Sequence, residues 1–317
     1  MLDDPNILKQ RDSGGALEVA AKIYQQANFD CQLRDAEHDA RELRNIIVAG
    51  MGGSALAADL AKSLLKEALT IPFDVIKDYN LPHYVGRDTL VIASSHSGNT
   101  EETLSCLEQA IERGCQIAII ATGGKVDEIA KKERILSALI PKDCQPRMAV
   151  VYSLRALLEV LNAFKLIDRT YIDELTAAST WLEKESSLWV KDVPTKQNYA
   201  KQLALIAVGK TPVFYGGSLM EFVGWTSHPI EKPFAVFDLL SDFEHPRILK
   251  RFSLTDRMLS GKRPKSTVVP LAGKTPLQQM LWGCVLADFA SIYVAILNNV
   301  DPTQVNLIEK FKKALDK

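Results

Sequence analysis

From about residue 45 onward, short apolar runs alternate with amphipathic stretches. The runs are Asn45 to Gly50, Ile71 to Ile76, Thr89 to Ser94 and Gln116 to Ala121, with a weaker one at Ile135 to Ile140. Brief, largely aliphatic and followed by Gly- or Ser-rich turns, they predict strands buried on both faces. Between them, Ser54 to Glu67, Thr100 to Arg113 and Val126 to Lys132 predict helices. Strands that alternate with helices build a parallel sheet covered on both sides, so an α/β, doubly wound domain is expected. Residues 15 to 37 read as helical, and a helix from about Arg147 to Phe164 closes this domain.

A polar, helical connector at 165 to 190 precedes a second round of the same pattern. A helix at Asn198 to Ala207 leads to a strand at Pro212 to Tyr215 that ends in Gly216-Gly217-Ser218, and further strands are expected at Phe234 to Leu240 and Ser266 to Pro270. Two similar halves therefore follow one another, with domains expected at 1–165 and 166–317. Met280 to Leu297 is apolar for about the length of a bilayer span. Asp288 would be costly in lipid, so a helix buried in a core or at a subunit interface is expected, and no membrane.

Composition narrows the class. The chain has 317 residues, 47% hydrophobic, with 38 basic against 39 acidic side chains, a soluble globular profile. A net charge of -1 supplies no field for a polyanion, so nucleic acid is not an expected partner. The Met-Leu-Asp-Asp-Pro-Asn start lacks the basic and apolar regions of a signal peptide, and a cytoplasmic protein is expected. Cys31, Cys106, Cys115, Cys144 and Cys284 are scattered, without metal-ligand spacing, and read as reduced packing residues. The basic run from Arg247 to Lys265 reads first as a solvated helix face, with a subunit contact or an entrance for anionic substrate as alternatives.

In a parallel sheet the loops after the strands carry the chemistry. Gly50-Met51-Gly52-Gly53-Ser54-Ala55 joins strand to helix, and its glycines let backbone N–H groups approach an anion at a positive helix end. The same spacing fits a loose dinucleotide fingerprint, with Asp74 or Asp78 as the ribose acid, or a turn with no ligand. Ser94-Ser95-His96-Ser97-Gly98-Asn99-Thr100-Glu101-Glu102-Thr103 offers the hydroxyls of Ser95, Ser97 and Thr100 around a glycine at a helix start. That set suits a phosphate monoester without metal or lysine. Glu102 and Thr103 stand where a capping arrangement would hold the turn. His96 is a weaker acid-base candidate, and no Walker sequence occurs. Arg147, in Gln145-Pro146-Arg147, can present a planar fork to an oxyanion or lie in a surface cap. Lys310, Lys312 and Lys313 follow Asp301-Pro302-Thr303 and can simply favour a helix dipole.

Taken together, Met-Gly-Gly-Ser-Ala at 51–55, Ser-His-Ser-Gly-Asn-Thr-Glu-Glu-Thr-Leu at 95–104, Gln-Pro-Arg at 145–147, Asn198 with Ala-Lys-Gln-Leu-Ala at 200–204, Glu-His-Pro-Arg-Ile at 244–248 and Asp-Pro-Thr at 301–303 resemble the sugar isomerase (SIS) family, in particular its bifunctional phosphoglucose/phosphomannose isomerases. The resemblance implies two SIS domains of flavodoxin-like winding, a homodimer with the active site near the subunit interface, no metal and no cofactor. It implies a substrate site where Ser95, Ser97 and Thr100 hold the sugar phosphate and Gly52, Gly53 and Ser54 line the pocket. Arg147 would stabilise an enediolate and Lys312 would help open the sugar ring. The implied reaction interconverts glucose 6-phosphate or mannose 6-phosphate with fructose 6-phosphate.

The sequence departs from the family in two ways. His96 stands where the family usually has Tyr. More seriously, roughly thirty residues, a helix-strand unit by length, are missing at the Met220/Glu221 junction, and with them the family's catalytic carboxylate and ring-opening histidine. The local pattern agrees: residues 218–233 contain Pro229 and Pro233 and no helical period, although a parallel crossover usually needs a helix. His228 and Glu231 lie there, either as substitutes or as ordinary loop residues. The expectation is a phosphosugar isomerase with an impaired site and a second sheet short of one strand beside Tyr215. The alternatives are a non-catalytic sugar-phosphate-binding SIS protein and a dinucleotide-dependent enzyme.

Overall fold

The apolar runs of the first half assemble into one sheet. The structure, a computed structural model, describes residues 1–35, 38–216, 233–261, 264–303 and 314. In chain order the elements are α1 (Pro5–Arg11), α2 (Ala16–Ala20), α3 (Ile23–Gln26), β1 (Leu33–Arg34), β2 (Asn45–Gly50), α4 (Gly52–Leu64), β3 (Phe73–Ile76), β4 (Thr89–Ser95), α5 (Glu101–Glu112), β5 (Gln116–Ala121), α6 (Gly124–Glu133), β6 (Leu136–Leu139), a 3-10 turn (Pro146–Met148), α7 (Val150–Ala163), α8 (Thr170–Ser187), α9 (Tyr199–Ala207), β7 (Thr211–Tyr215), β8 (Phe234–Leu240), α10 (Pro246–Met258), β9 (Thr267–Pro270) and α11 (Pro276–Leu297).

The first sheet has the order β1-β6-β5-β4-β2-β3, parallel except for β1 at its edge. The parallel strands have the flavodoxin order, and the winding reverses between β2 and β4. Alternate residues of β2, β4 and β5 (Ile47, Ala49, Val91, Ala93, Ile117, Ile119) pack on Cys106, Leu107 and Ala110 of α5 and Val126 and Ala130 of α6. At the β2–β4 reversal the chain leaves neighbouring strands toward opposite faces, so a crevice opens between the loops that follow them.

Residues 15 to 37 do not form the continuous helix that their pattern suggests. The described residues 15–35 form two short helices and β1, because Leu33 and Arg34 find a partner in Ala138 and Ser137 of β6. Arg34 then pairs with Asp127 of α6 and donates to Ser137 Oγ at 3.1 Å.

The compact units are residues 22–183 and residues 1–21 with 184–317. The first residues join the second half through specific bonds. Arg11 donates to the carbonyl of Ile296 near the end of α11 at 2.8 Å, and Ser13 to Asp301 at 2.6 Å. Lys201, fully buried, donates to Asp3 at 2.9 Å and to the carbonyls of Lys191 and Val193, each at 2.8 Å. The hydrogen bond from Lys201 holds the Asp3 carboxyl below the ordinary carboxylate range. Three oxygen acceptors explain how an ammonium is accommodated without solvent.

In this second unit β7, β8 and β9 form a parallel sheet in sequence order. β7 is an edge strand with β8 as its one neighbour among the described residues. A parallel strand is normally covered on both faces, yet Phe214 is 56% exposed. α11 is long and apolar enough to cross a membrane by length and composition. Its polar groups are nevertheless tied into the unit: Trp282 donates to Glu185 at 2.9 Å, Tyr293 donates to the carbonyl of Trp189 at 2.7 Å, and the rings of Trp189 and Trp282 meet at 5.3 Å.

Candidate functional site

The loops after β2 and β4 meet at the sheet's reversal point. Gly50 ends β2 so close to β4 that a Cβ there would lie 2.8 Å from the Ser94 carbonyl. The chain turns through Gly52, at φ +54°, into α4, whose N-cap Met51 makes no side-chain cap. A Cβ on Gly53 would lie 2.5 Å from the Pro146 carbonyl and 3.4 Å from Arg147 Cα. That glycine therefore lets the 3-10 turn settle on the first turn of α4, and it brings exposed Arg147 to the glycine loop. Ser54 is buried, and its Oγ accepts the His96 N–H at 3.2 Å, which joins the two loops directly.

The three hydroxyls of the second loop do not play equal parts. Ser95 is 2% exposed, and its Oγ shares a 2.8 Å hydrogen bond with Thr100 Oγ1. Ser95 also accepts the Gly98 N–H through both its carbonyl and its Oγ, at 3.0 and 3.1 Å. Ser97 is exposed, with its Oγ accepting the Asn99 N–H at 3.3 Å. Thr100 is the N-cap of α5, but its hydroxyl is turned to Ser95 and makes no cap bond. The capping arrangement expected from Glu102 and Thr103 is therefore not formed. Thr103 instead joins Cys106, Leu107 and Ala110 on the buried stripe of α5. Among the described residues the N-cap side chain leaves the first-turn N–H groups of α5 uncapped, where the helix field favours an anion.

A brace that the motif reading overlooked comes from Thr122-Gly123-Gly124 after β5. Thr122 donates its N–H and its hydroxyl to the His96 carbonyl, at 3.1 and 2.7 Å. Val126 N–H donates to the Gly98 carbonyl at 3.0 Å, and Lys125 N–H to Asn99 Oδ1 at 3.0 Å. The signal in the sequence was the Gly-Gly pair one residue after a predicted strand, at the same edge of the sheet.

Gly52, Gly53, Ser54, Ser95, Ser97, Thr100 and Arg147 are thus brought together, all within residues 22–183. Lys312, His228, Glu231 and the Met220/Glu221 junction lie outside the described residues. The two acids of the dinucleotide alternative already have partners of their own. Asp74 is engaged by Lys62 at 2.9 Å and Tyr84 at 3.0 Å, which hold it below the ordinary carboxylate range, and Asp78 accepts the Tyr79 N–H at 2.6 Å. No cluster of His, Cys, Asp and Glu suited to a metal occurs among the described residues.

Residues 41–166 match the SIS domain family, and residues 220–315 match the bacterial phospho-glucose isomerase C-terminal SIS domain. A bifunctional phosphoglucose/phosphomannose isomerase from Caldicellulosiruptor bescii is 32% identical over 308 aligned positions, which take in 87% of this chain and 91% of the relative. The chain belongs to this family. A second bifunctional phosphoglucose/phosphomannose isomerase, from Aquifex aeolicus, is 28% identical over 332 positions, 95% of this chain and 99% of the relative. Among solved structures, a glucose-6-phosphate isomerase like protein from Thermus thermophilus superposes with a TM-score of 0.64 at 16% identity, covering 98% of each chain, so the fold is shared.

The alignment lengths bear on the missing segment. The part of this chain in the first alignment is 87% of 317 residues, about 276, so about 32 of the 308 positions hold no residue of this chain. For the A. aeolicus relative, 95% of 317 is about 301, which leaves about 31 of 332 positions empty. The C-terminal family match begins at residue 220, the junction itself, and leaves β7 outside it.

Proposed function

We propose that this chain is a phosphosugar aldose–ketose isomerase, acting on glucose 6-phosphate or mannose 6-phosphate to give fructose 6-phosphate. The observation that carries this reading is the bond from the His96 N–H to Ser54 Oγ, which couples the glycine loop to the hydroxyl loop across the reversal point. A phosphate seated there would accept from Ser97, Thr100 and the first N–H groups of α5, with Gly52, Gly53 and Ser54 lining its other side. Ser95 acts through Thr100, fixing that hydroxyl. Arg147, set against Gly53, would face the open-chain sugar and stabilise the enediolate oxygen with its planar fork. Lys312 is the proposed ring-opening aid. The names of the family members support this substrate class.

The same residues supply anion binding but no carboxylate to move a proton between C1 and C2, a step that needs a positioned base. The sequence departure at the Met220/Glu221 junction motivates a second reading, a sugar-phosphate-binding protein with little turnover.

Calorimetry with fructose 6-phosphate tests the site common to both readings. A hydrogen bond to a charged group contributes about 1.5–3 kcal/mol, so Ser97→Ala/Thr100→Ala is expected to weaken binding by about a hundredfold. Affinity equal to the parent's would remove the phosphate assignment.

We also propose a homodimer. Met51 and Leu56, at the start of α4 beside the crevice, are 37% and 46% exposed, apolar surface that a second copy would cover. Sedimentation at low micromolar concentration is expected to give a dimer, and monomer alone would contradict this.

A further inference from the structure

His96 is fixed at both ends of its backbone, by Ser54 on the β2 side and by Thr122 on the β5 side. Its side chain is not so placed. Nε2 is buried and has no hydrogen-bond partner among the described residues. A buried polar atom without a partner is costly, and folded proteins nearly always satisfy such atoms. Thr103 Oγ1 shares this condition but sits on the core-facing stripe of α5. Nε2 of His96 is different, because its residue lies between Ser95 and Ser97 in the loop itself.

Building on the sugar-phosphate reading, we propose that His96 is a ligand-binding residue of this crevice, with Nε2–H donating a hydrogen bond to an oxygen of the bound sugar phosphate. The charged groups that face the ring are Asp143 and Lys142, both from the stretch that leads to Arg147. That stretch, residues 141–145, contains neither helix nor strand, and Asp143 is tied down by the Tyr152 hydroxyl at 3.0 Å. For a ligand to reach the buried Nε2, the ring or a neighbour must shift. Burial holds the imidazole below its ordinary pKa, against the field of Asp143, which favours the neutral ring.

Calorimetry on the full chain, with fructose 6-phosphate and inorganic phosphate as probes, separates the possibilities. His96→Phe keeps a ring without a hydrogen bond and is expected to weaken fructose 6-phosphate binding about tenfold, with His96→Gln regaining part of the loss. The ligand-free His96→Phe protein should melt at or above the parent's temperature, since it no longer buries an unpaired nitrogen. A parallel loss for inorganic phosphate assigns the bond to the phosphoryl group, whereas unchanged phosphate binding assigns it to the sugar. Unchanged fructose 6-phosphate affinity in His96→Phe, while Ser97→Ala/Thr100→Ala loses it, overturns the role of His96 and leaves the sugar-phosphate reading standing. A parent chain that binds neither probe overturns that reading and this inference with it. Should His96→Phe fail to fold, the ¹⁵N resonance of Nε2 in the parent decides: a shift on saturation with fructose 6-phosphate supports the bond, and no shift overturns it.

Discussion

In a coupled isomerase assay this chain is expected to turn over fructose 6-phosphate about 10²–10⁴-fold more slowly than relatives that carry the additional helix-strand unit, the usual cost of losing an acid-base group. Its affinity for the sugar phosphate should remain ordinary, because phosphate binding and proton transfer draw on different parts of the chain. The hydroxyl loop, the glycine loop and Arg147 all belong to residues 22–183 and are fully assembled. The Met220/Glu221 junction follows β7, which among the described residues stands at the edge of the second sheet with Phe214 exposed. Inserting a family-like helix-strand segment between Met220 and Glu221 is expected to raise the rate with little change in binding. Full activity in the uninserted chain, abolished by Glu231→Gln or His228→Ala, would show instead that residues 218–233 supply a replacement base.

Gly98→Ala is expected to be the most damaging single substitution in the phosphate loop. Gly98 adopts φ +71°, and a Cβ there would lie 1.7 Å from the Gly123 carbonyl oxygen and 2.7 Å from its carbon. The left-handed backbone alone costs a non-glycine residue about 1–2 kcal/mol, and forced overpacking typically adds about 1–3 kcal/mol. No rotamer relieves a clash between Cβ and backbone, so the loop must part from the Gly123-Gly124 turn. The bond from Val126 to the Gly98 carbonyl would then break, and the Thr122 bonds to His96 would be strained. Fructose 6-phosphate affinity should fall more than a hundredfold, together with a melting temperature lower by about 5–15 °C. Gly114→Ala is the control, since Gly114 has φ +64° but nothing within 4 Å of the added carbon. It should cost about 1 kcal/mol and leave binding intact. Equal stability and equal binding in the two variants would show that the Gly98–Gly123 contact is not what shapes the loop.

Local pattern alone specifies the parallel strands of the first sheet and the hydroxyl loop. Asn45–Gly50 and Gln116–Ala121 form the predicted strands without change, and Thr89–Ser95 is longer by one residue. The reason is physical: a strand covered on both faces must be a continuous apolar run, and its limits are visible without knowledge of its neighbours. The phosphate loop is equally local, since one segment supplies its hydroxyls, its glycine and its helix start. What depends on distant partners was decided by the tertiary structure alone. Leu33–Arg34 became a strand because β6 offers an edge, and residues 1–21 joined the second half because the end of α11 and Lys201 supply partners for Arg11 and Asp3. Arg147 reached the glycine loop because Gly53 leaves room for the Pro146 carbonyl. The hydroxyls of Ser95 and Thr100, alike in the sequence, parted in role when one was buried to hold the other. Hydrophobic periodicity records which face of an element is covered, but not which element covers it, and a hydrogen bond between segments leaves no trace in either one until both are folded.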